Sequence, residues 1–281
     1  MPDHFLDAAQ IAAYQRDGFI VIPDFKNAGE IAALRARAGE IVEAFDPAAS
    51  QAIFTTRDQK ADDYFLASDN TVRCFFEEEA FDADGRLKQD KALSINKIGH
   101  AMHDLDPVFR AFTADPKLAL VARDLGLLDP RVWQSMYIFK QPGIGGEVRW
   151  HQDATYFETT PISVTTFWFA LEDATLDNGC LWAEPGGHRG PLRERFIRNG
   201  DQVRVEKLDA MPWPDDSTAV PLEVKAGALV CFHGLLPHYS APNRSSVSRH
   251  AYTLHATDGQ TEYAAHNWIQ RDAAFPVRGF V

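Results

Sequence analysis

The chain of 281 residues is 45% hydrophobic and 24% charged, a composition that suits a packed globular protein and argues against disorder. Its 28 basic and 40 acidic side chains leave a net charge of −12, which excludes a surface built for nucleic acid but not an anionic small molecule held by a local basic cluster. At this length one large all-β or mixed domain, spanning 1–281, is expected in place of two.

In chain order, Met1-Pro2-Asp3-His4-Phe5-Leu6-Asp7 lacks the positive charge and apolar stretch of a signal peptide. No apolar run approaches a membrane span, and Cys74, Cys180 and Cys231 share no CxxC spacing. A cytoplasmic protein with reduced thiols, no membrane partner and a monomeric or weakly homo-oligomeric state is therefore expected. Residues 7 to 17 read as a short helix closed by Gly18, and Phe19-Ile20-Val21-Ile22 as a strand stopped by Pro23. From Ala28 to Phe45, Ile31, Leu34, Ile41 and Phe45 recur at near-helical spacing. Asp46 to Asp63 is polar and poorly periodic, a surface excursion. Residues 87 to 125 read as mostly helical, broken near Asp106-Pro107 and Asp115-Pro116.

Beyond Arg131 the character changes to short β-rich runs between turns: 132–141, 148–153, 164–171, 179–184, 222–225, 228–232 and 249–256. That rhythm predicts a sandwich or barrel. The expected architecture is mainly β with flanking α. A double-stranded β-helix (jelly roll, cupin-like) core covers about 131–281, and an N-terminal helical layer, about 1–130, packs on one sheet.

Chemistry concentrates at His151-Gln152-Asp153. Residues two apart in a strand share a side, so His151 and Asp153 can face one metal with Gln152 turned away. Two imidazoles and one carboxylate cap one face of Fe(II) and leave the opposite positions open; the same set also suits zinc. Among ten histidines, His4, His100, His103 and His266 sit near predicted helices or termini, while His233, His238 and His255 share the β region. His238 is the preferred third ligand, because it follows a strand and a tight turn, as a ligand at a barrel mouth should. Arg249, opening an apolar strand, suits the distal carboxylate of a chelating 2-oxoacid, against the alternative of an exposed surface arginine. Lys97, in Ser94-Ile95-Asn96-Lys97-Ile98-Gly99, carries the same two readings. Arg193, Arg195, Arg198, Arg204 and Lys207 form a basic stretch that reads as a solvated loop, with a substrate phosphate or carboxylate at the pocket rim as the sharper alternative. Trp150, Tyr156, Phe157, Trp168 and Trp182 read as core, with one or two as pocket walls.

Ordered segments along nearly the whole chain resemble the phytanoyl-CoA dioxygenase family. They include Asp63-Tyr64-Phe65-Leu66, Ser94-Ile95-Asn96-Lys97-Ile98-Gly99-His100, Gln134-Ser135-Met136-Tyr137-Ile138-Phe139-Lys140-Gln141-Pro142, His151-Gln152-Asp153-Ala154, Asn178-Gly179-Cys180-Leu181-Trp182 and Pro185-Gly186-Gly187-His188. The resemblance implies a double-stranded β-helix that binds Fe(II), 2-oxoglutarate and O2. It implies His151, Asp153 and His238 as the catalytic iron ligands. It further implies Lys97, Met136, Trp168 and Arg249 as contacts of 2-oxoglutarate, with Arg249 on the distal carboxylate, Ser240 assisting it, and Gln152 contacting it through backbone or side chain. Halogenating relatives replace the carboxylate ligand by a small residue. Asp153 thus implies hydroxylation of a small molecule, with release of succinate and CO2. An anionic or acyl-type substrate fits the family name. Two other readings stand beside this one, a non-catalytic 2-oxoglutarate sensor and a zinc hydrolase, and the Arg249 and Lys97 pair speaks against the latter.

Overall fold

The computed structural model describes residues 4–48, 50–54, 63–215 and 217–280. Asp7 caps α1 (Ala8–Asp17) by accepting from the Gln10 N–H, and Gly18, at a left-handed φ of 82°, ends it and turns the chain into β1 (Phe19–Ile22). Asn27 and Glu30 complete a capping box on α2 (Ala28–Ala44). Of the excursion expected over 46–63, residues 49 and 55–62 lie outside the described residues. After α3 (Asp63–Leu66) come β2 (Val72–Phe76) and β3 (Ile95–His100). Asp106 and Asp115, each followed by proline at the first helical position, start the second and third of α4 (Met102–Leu105), α5 (Pro107–Thr113) and α6 (Pro116–Asp124). The stretch 87–125 is therefore not mostly helical throughout, because β3 runs through its first third.

Twelve further strands follow: β4 (Pro130–Ile138), β5 (Val148–His151), β6 (Thr159–Thr160), β7 (Thr165–Ala170), β8 (Leu181–Ala183), β9 (Glu194–Asn199), β10 (Gln202–Lys207), β11 (Val220–Leu222), β12 (Leu229–His233), β13 (His238–Ser240), β14 (Ala251–Asp258) and β15 (Glu262–Tyr263). They build a seven-stranded sheet in the order β1-β12-β7-β14-β4-β3-β2 and a four-stranded sheet in the order β11-β8-β13-β5. This is a mainly β jelly roll with flanking helices. Three strands of the large sheet, β1, β2 and β3, come from before residue 131, so the N-terminal part supplies strands as well as the helical layer.

Period-two alternation explains the layers. From β7, Phe167 and Phe169 join the helix-facing core, as do Tyr252 and Leu254 of β14 and Leu229 and Cys231 of β12; there they meet Leu34, Val42, Phe109, Phe112, Leu118 and Val121 from the helices. The alternate residues Trp168, Ala170, Val230, Phe232 and Ala251 face the small sheet and pack on Leu181, Ala183 and Leu222. All three cysteines are free and buried. Among the described residues no helix is long and apolar enough to cross a membrane.

Candidate metal centre and adjoining cavity

His151 ends β5 and His238 begins β13, and the two stand opposite each other where these strands pair. The strand stops at His151. Asp153 opens a 3-10 turn (Asp153–Thr155), so the turn, and not strand alternation through residue 153 as the sequence suggested, folds the carboxylate back. Its Oδ1 lies 3.6 Å from His151 Nε2 and 3.7 Å from His238 Nε2. One donor atom from each of the three residues falls within 4.8 Å of the other two.

The rings are set for this. His151 Nδ1 is 2.8 Å from the Arg149 carbonyl and His238 Nδ1 is 3.0 Å from the Leu236 carbonyl. A carbonyl only accepts, so each Nδ1 carries its proton and each ring turns its Nε2 towards Asp153. Burial, with His151 alongside, pushes the His238 pKa down to about 4, so its ring is neutral at pH 7. Burial opposes ionisation of Asp153, yet His238, His255 and the ring hydrogen bonds outweigh it and hold the carboxyl well below the usual carboxylate range. Asp153 Oδ2 accepts the Thr166 hydroxyl, and His255 Nε2 stands 3.4 Å from Oδ1. Two imidazoles and one carboxylate beside an open cavity fit Fe(II) with exchangeable positions. His255, a competitor for the third ligand by sequence, reaches the same carboxylate from β14 as a neighbour. His233 is turned elsewhere and accepts from Leu235 N–H at 3.0 Å.

The centre opens on a cavity of about 800 Å³ lined by Lys97, Met136, Lys140, His151, Asp153 and His255, among others. Arg249 is not a surface residue. It is 1% exposed, two residues before β14, with Nε on Gly179 O at 3.2 Å and Nη2 on Ser240 Oγ at 3.3 Å. Its Nη1 has no protein partner among the described residues. Burial lowers its pKa only to about 10, so it stays cationic, and it lies over the Trp168 ring at 5.3 Å. Lys97 is buried too, against the solvated reading, with Nζ 3.7 Å from Met136 Sδ and 3.2 Å from the Phe54 ring centroid. Burial holds its pKa well below the ordinary lysine value. The Gln152 amide donates to Pro191 O at 3.0 Å and Leu235 O at 2.8 Å and accepts from Arg193 N–H. It ties loops together on the far side of the strand, which leaves only its backbone for a co-substrate.

Sequence reasoning missed Lys140 and Thr166, and gave His255 no part beyond that of a rival ligand. Lys140 is 1% exposed and donates from Nζ to Gly146 O at 2.6 Å and Ser240 O at 3.4 Å, beside the serine that Arg249 touches, and burial with the Arg249 charge nearby holds its pKa well below the ordinary lysine value. The basic stretch from Arg193 is not a solvated loop. It is the hairpin β9–β10, and three of its cations are engaged internally. Arg193 reaches Pro212 O at 3.0 Å, Arg195 binds both oxygens of Glu158, and Arg198 binds Asp69 at 3.0 Å. Trp150, Tyr156 and Phe157 line the cavity, more of the aromatic set than expected.

A family model described as Phytanoyl-CoA dioxygenase (PhyH) matches residues 14–251. A phytanoyl-CoA dioxygenase of Arabidopsis thaliana is 48% identical over 265 residues, 93% of this chain and 93% of its own. Phytanoyl-CoA dioxygenase domain-containing protein 1 of Bos taurus is 43% identical over 282 residues, 96% of this chain and 97% of its own. Among solved structures, the non-heme alpha ketoglutarate dependent carbocyclase SnoK from nogalamycin biosynthesis matches with a TM-score of 0.66 at 18% identity, over 99% of this chain and 98% of its own. EctD from S. alaskensis with bound Fe matches with a TM-score of 0.64 at 23% identity, over 100% of this chain and 91% of its own. At those identities the likeness is one of fold.

Proposed function

The chain belongs to the phytanoyl-CoA dioxygenase family, and from that premise we propose that it is an Fe(II)- and 2-oxoglutarate-dependent dioxygenase that hydroxylates a small molecule. The observation that carries the reading is the meeting of His151, Asp153 and His238 at one point beside a buried cationic pocket. Fe(II), 2-oxoglutarate and O2, when bound, supply oxidative decarboxylation to succinate and CO2 and the power to hydroxylate a C–H bond.

The protein's own part is to hold, orient and keep dry. His151 and His238 offer Nε2 and Asp153 offers Oδ1 on one face. Thr166 and His255 fix the Asp153 carboxylate from behind. Arg249, held by Ser240 and Gly179, keeps Nη1 for the distal carboxylate of 2-oxoglutarate, and Lys140 places further N–H donors next to it. Lys97, Met136 and Trp168 wall the same co-substrate, with the backbone of Gln152 beside the metal. Phe65, Phe157 and Trp268 exclude water from the cavity. Because Asp153 fills the carboxylate position, the reaction is hydroxylation and not halogenation. A zinc hydrolase has no use for buried Arg249 and Lys97, which favours the oxygenase.

Anaerobic reconstitution with Fe(II) followed by admission of O2 tests this by succinate release from 2-oxoglutarate. Succinate in proportion to oxygen is expected, and Asp153→Ala should abolish product hydroxylation. No succinate from a protein that binds the metal would overturn the reading.

A further inference from the structure

Resting on that reading of the site, we propose that the cavity selects a compact, planar, uncharged molecule with a hydrogen-bonding edge, such as a heteroaromatic ring bearing an amide or lactam, over a saturated acyl chain. Two aromatic packets line it. In one, Phe65 stacks on Trp268 with centroids 4.7 Å apart and planes 22° apart, and Phe75 and His100 extend it edge-on. In the other, Phe157 stacks on His255 at 5.0 Å and 19°. Flat, rigid walls of this kind complement a ring that can stack, and a flexible chain gains less from them.

The polar groups on the same lining point the same way. Gln134 of β4 stands in register with His255 of β14, and it is 5% exposed. Its side-chain amide makes no hydrogen bond among the described residues, so one acceptor and two donors on the cavity lining await a partner. His100 also lines the cavity. The Ser68 hydroxyl donates to Phe65 O, so its oxygen accepts from His100 Nδ1–H, and the second ring nitrogen, Nε2, is left unpartnered. Burial keeps that ring neutral, which makes Nε2 an acceptor. His255 Nδ1 is unpartnered as well. A hydrocarbon occupant would desolvate Gln134 without meeting it, a loss of about tenfold in affinity or more. An amide edge satisfies it. Charge has no counterpart here: Lys97, Lys140 and Asp153 are engaged with co-substrate or metal, and Glu147, Arg149 and Glu194 of the lining reach solvent.

Trp150, Trp213 and Trp268 line the cavity and report occupancy by fluorescence. Under anaerobic conditions, protein loaded with Fe(II) and 2-oxoglutarate is titrated with thymine and nicotinamide, and in parallel with 1-octanol and octanoyl-CoA. Saturable binding of a ring probe is expected. Gln134→Met should weaken it about tenfold while leaving 1-octanol no weaker. Phe65→Leu, a second variant that removes a stacking face instead of the amide, should weaken the ring probe too. Saturation by 1-octanol or octanoyl-CoA with no ring probe binding overturns the proposal, as does ring affinity unchanged in whichever of the two variants melts like the parent. Succinate release without any probe is followed separately. Its absence strikes the dioxygenase reading, whereas the titrations need no turnover and judge the cavity alone.

Discussion

The Thr166 hydroxyl on Asp153 Oδ2 and His255 against Oδ1 leave that carboxylate a single orientation, so the metal affinity of the centre depends on residues that never touch the ion. Thr166→Val should lower Fe(II) affinity about tenfold to a hundredfold, read by anaerobic calorimetry, with the fold intact. Arg249→Ala removes a buried charged partner and should raise the Kd of 2-oxoglutarate by about tenfold to a hundredfold. An unchanged Kd would remove Arg249 from the co-substrate site. Lys140→Met should raise the same constant by a smaller factor. The three candidate ligands were legible because His151 and Asp153 lie two apart, His238 follows a strand and a tight turn, and the resemblance to the family implies all three. Thr166 and Lys140 were not. In Val164-Thr165-Thr166-Phe167 a threonine reads as an ordinary β-branched strand residue, and a lysine after Tyr137-Ile138-Phe139 reads as a solvated strand end. Only the folding of the turn after β5 towards β7, and the approach of β13 to residue 140, give them work.

At the scale of elements, Lys26 joins three of them. From the turn between β1 and α2 it reaches Glu30 at 2.9 Å, the Phe112 carbonyl closing α5 at 3.0 Å and Asp115, the cap of α6, at 2.8 Å. It is 4% exposed. Lys26→Met would strand the Asp115 carboxylate and should destabilise the protein by about 3 kcal/mol in urea unfolding, the lower end for a broken buried pair because Glu30 is partly solvated. Burial alone would raise the Asp115 pKa, but Lys26 and the Lys117 N–H hold it below 3.8. A depressed carboxylate lends stability above its ordinary pKa and loses it as pH falls towards the folded value. The melting temperature should therefore drop as pH falls below 3.8, and Asp115→Asn should flatten that drop. The helix boundaries here were readable from the periodicity after Ala28 and the breaks at Asp106-Pro107 and Asp115-Pro116. Strand β3 was not, for a physical reason. Ile95 and Ile98 mimic helical spacing, and where β3 borders the cavity it carries Asn96 and Lys97 in place of the apolar partners that mark a half-buried strand. The hairpin β9–β10 hid in the same way, behind arginines whose acidic partners lie elsewhere in the sequence.

For the molecule as a whole, the jelly roll was legible from the short β-rich runs between turns after residue 131, and the large sheet packs the helices on one face and the small sheet on the other. What the rhythm of the strands did not show is which strand lies beside which. In the large sheet β1 pairs with β12, Phe19 opposite Phe232, and β12 and β14 flank β7. The large sheet therefore joins an early strand to a late one. During synthesis β1 emerges from the ribosome long before β12, so its pairing in the sheet waits for the last fifth of the chain. Pairing between segments so far apart in sequence slows folding. A fragment ending at Lys225, which lacks β12 to β15, should show no cooperative transition in urea. A sharp transition in that fragment would mean that the first two hundred residues fold without waiting for the rest.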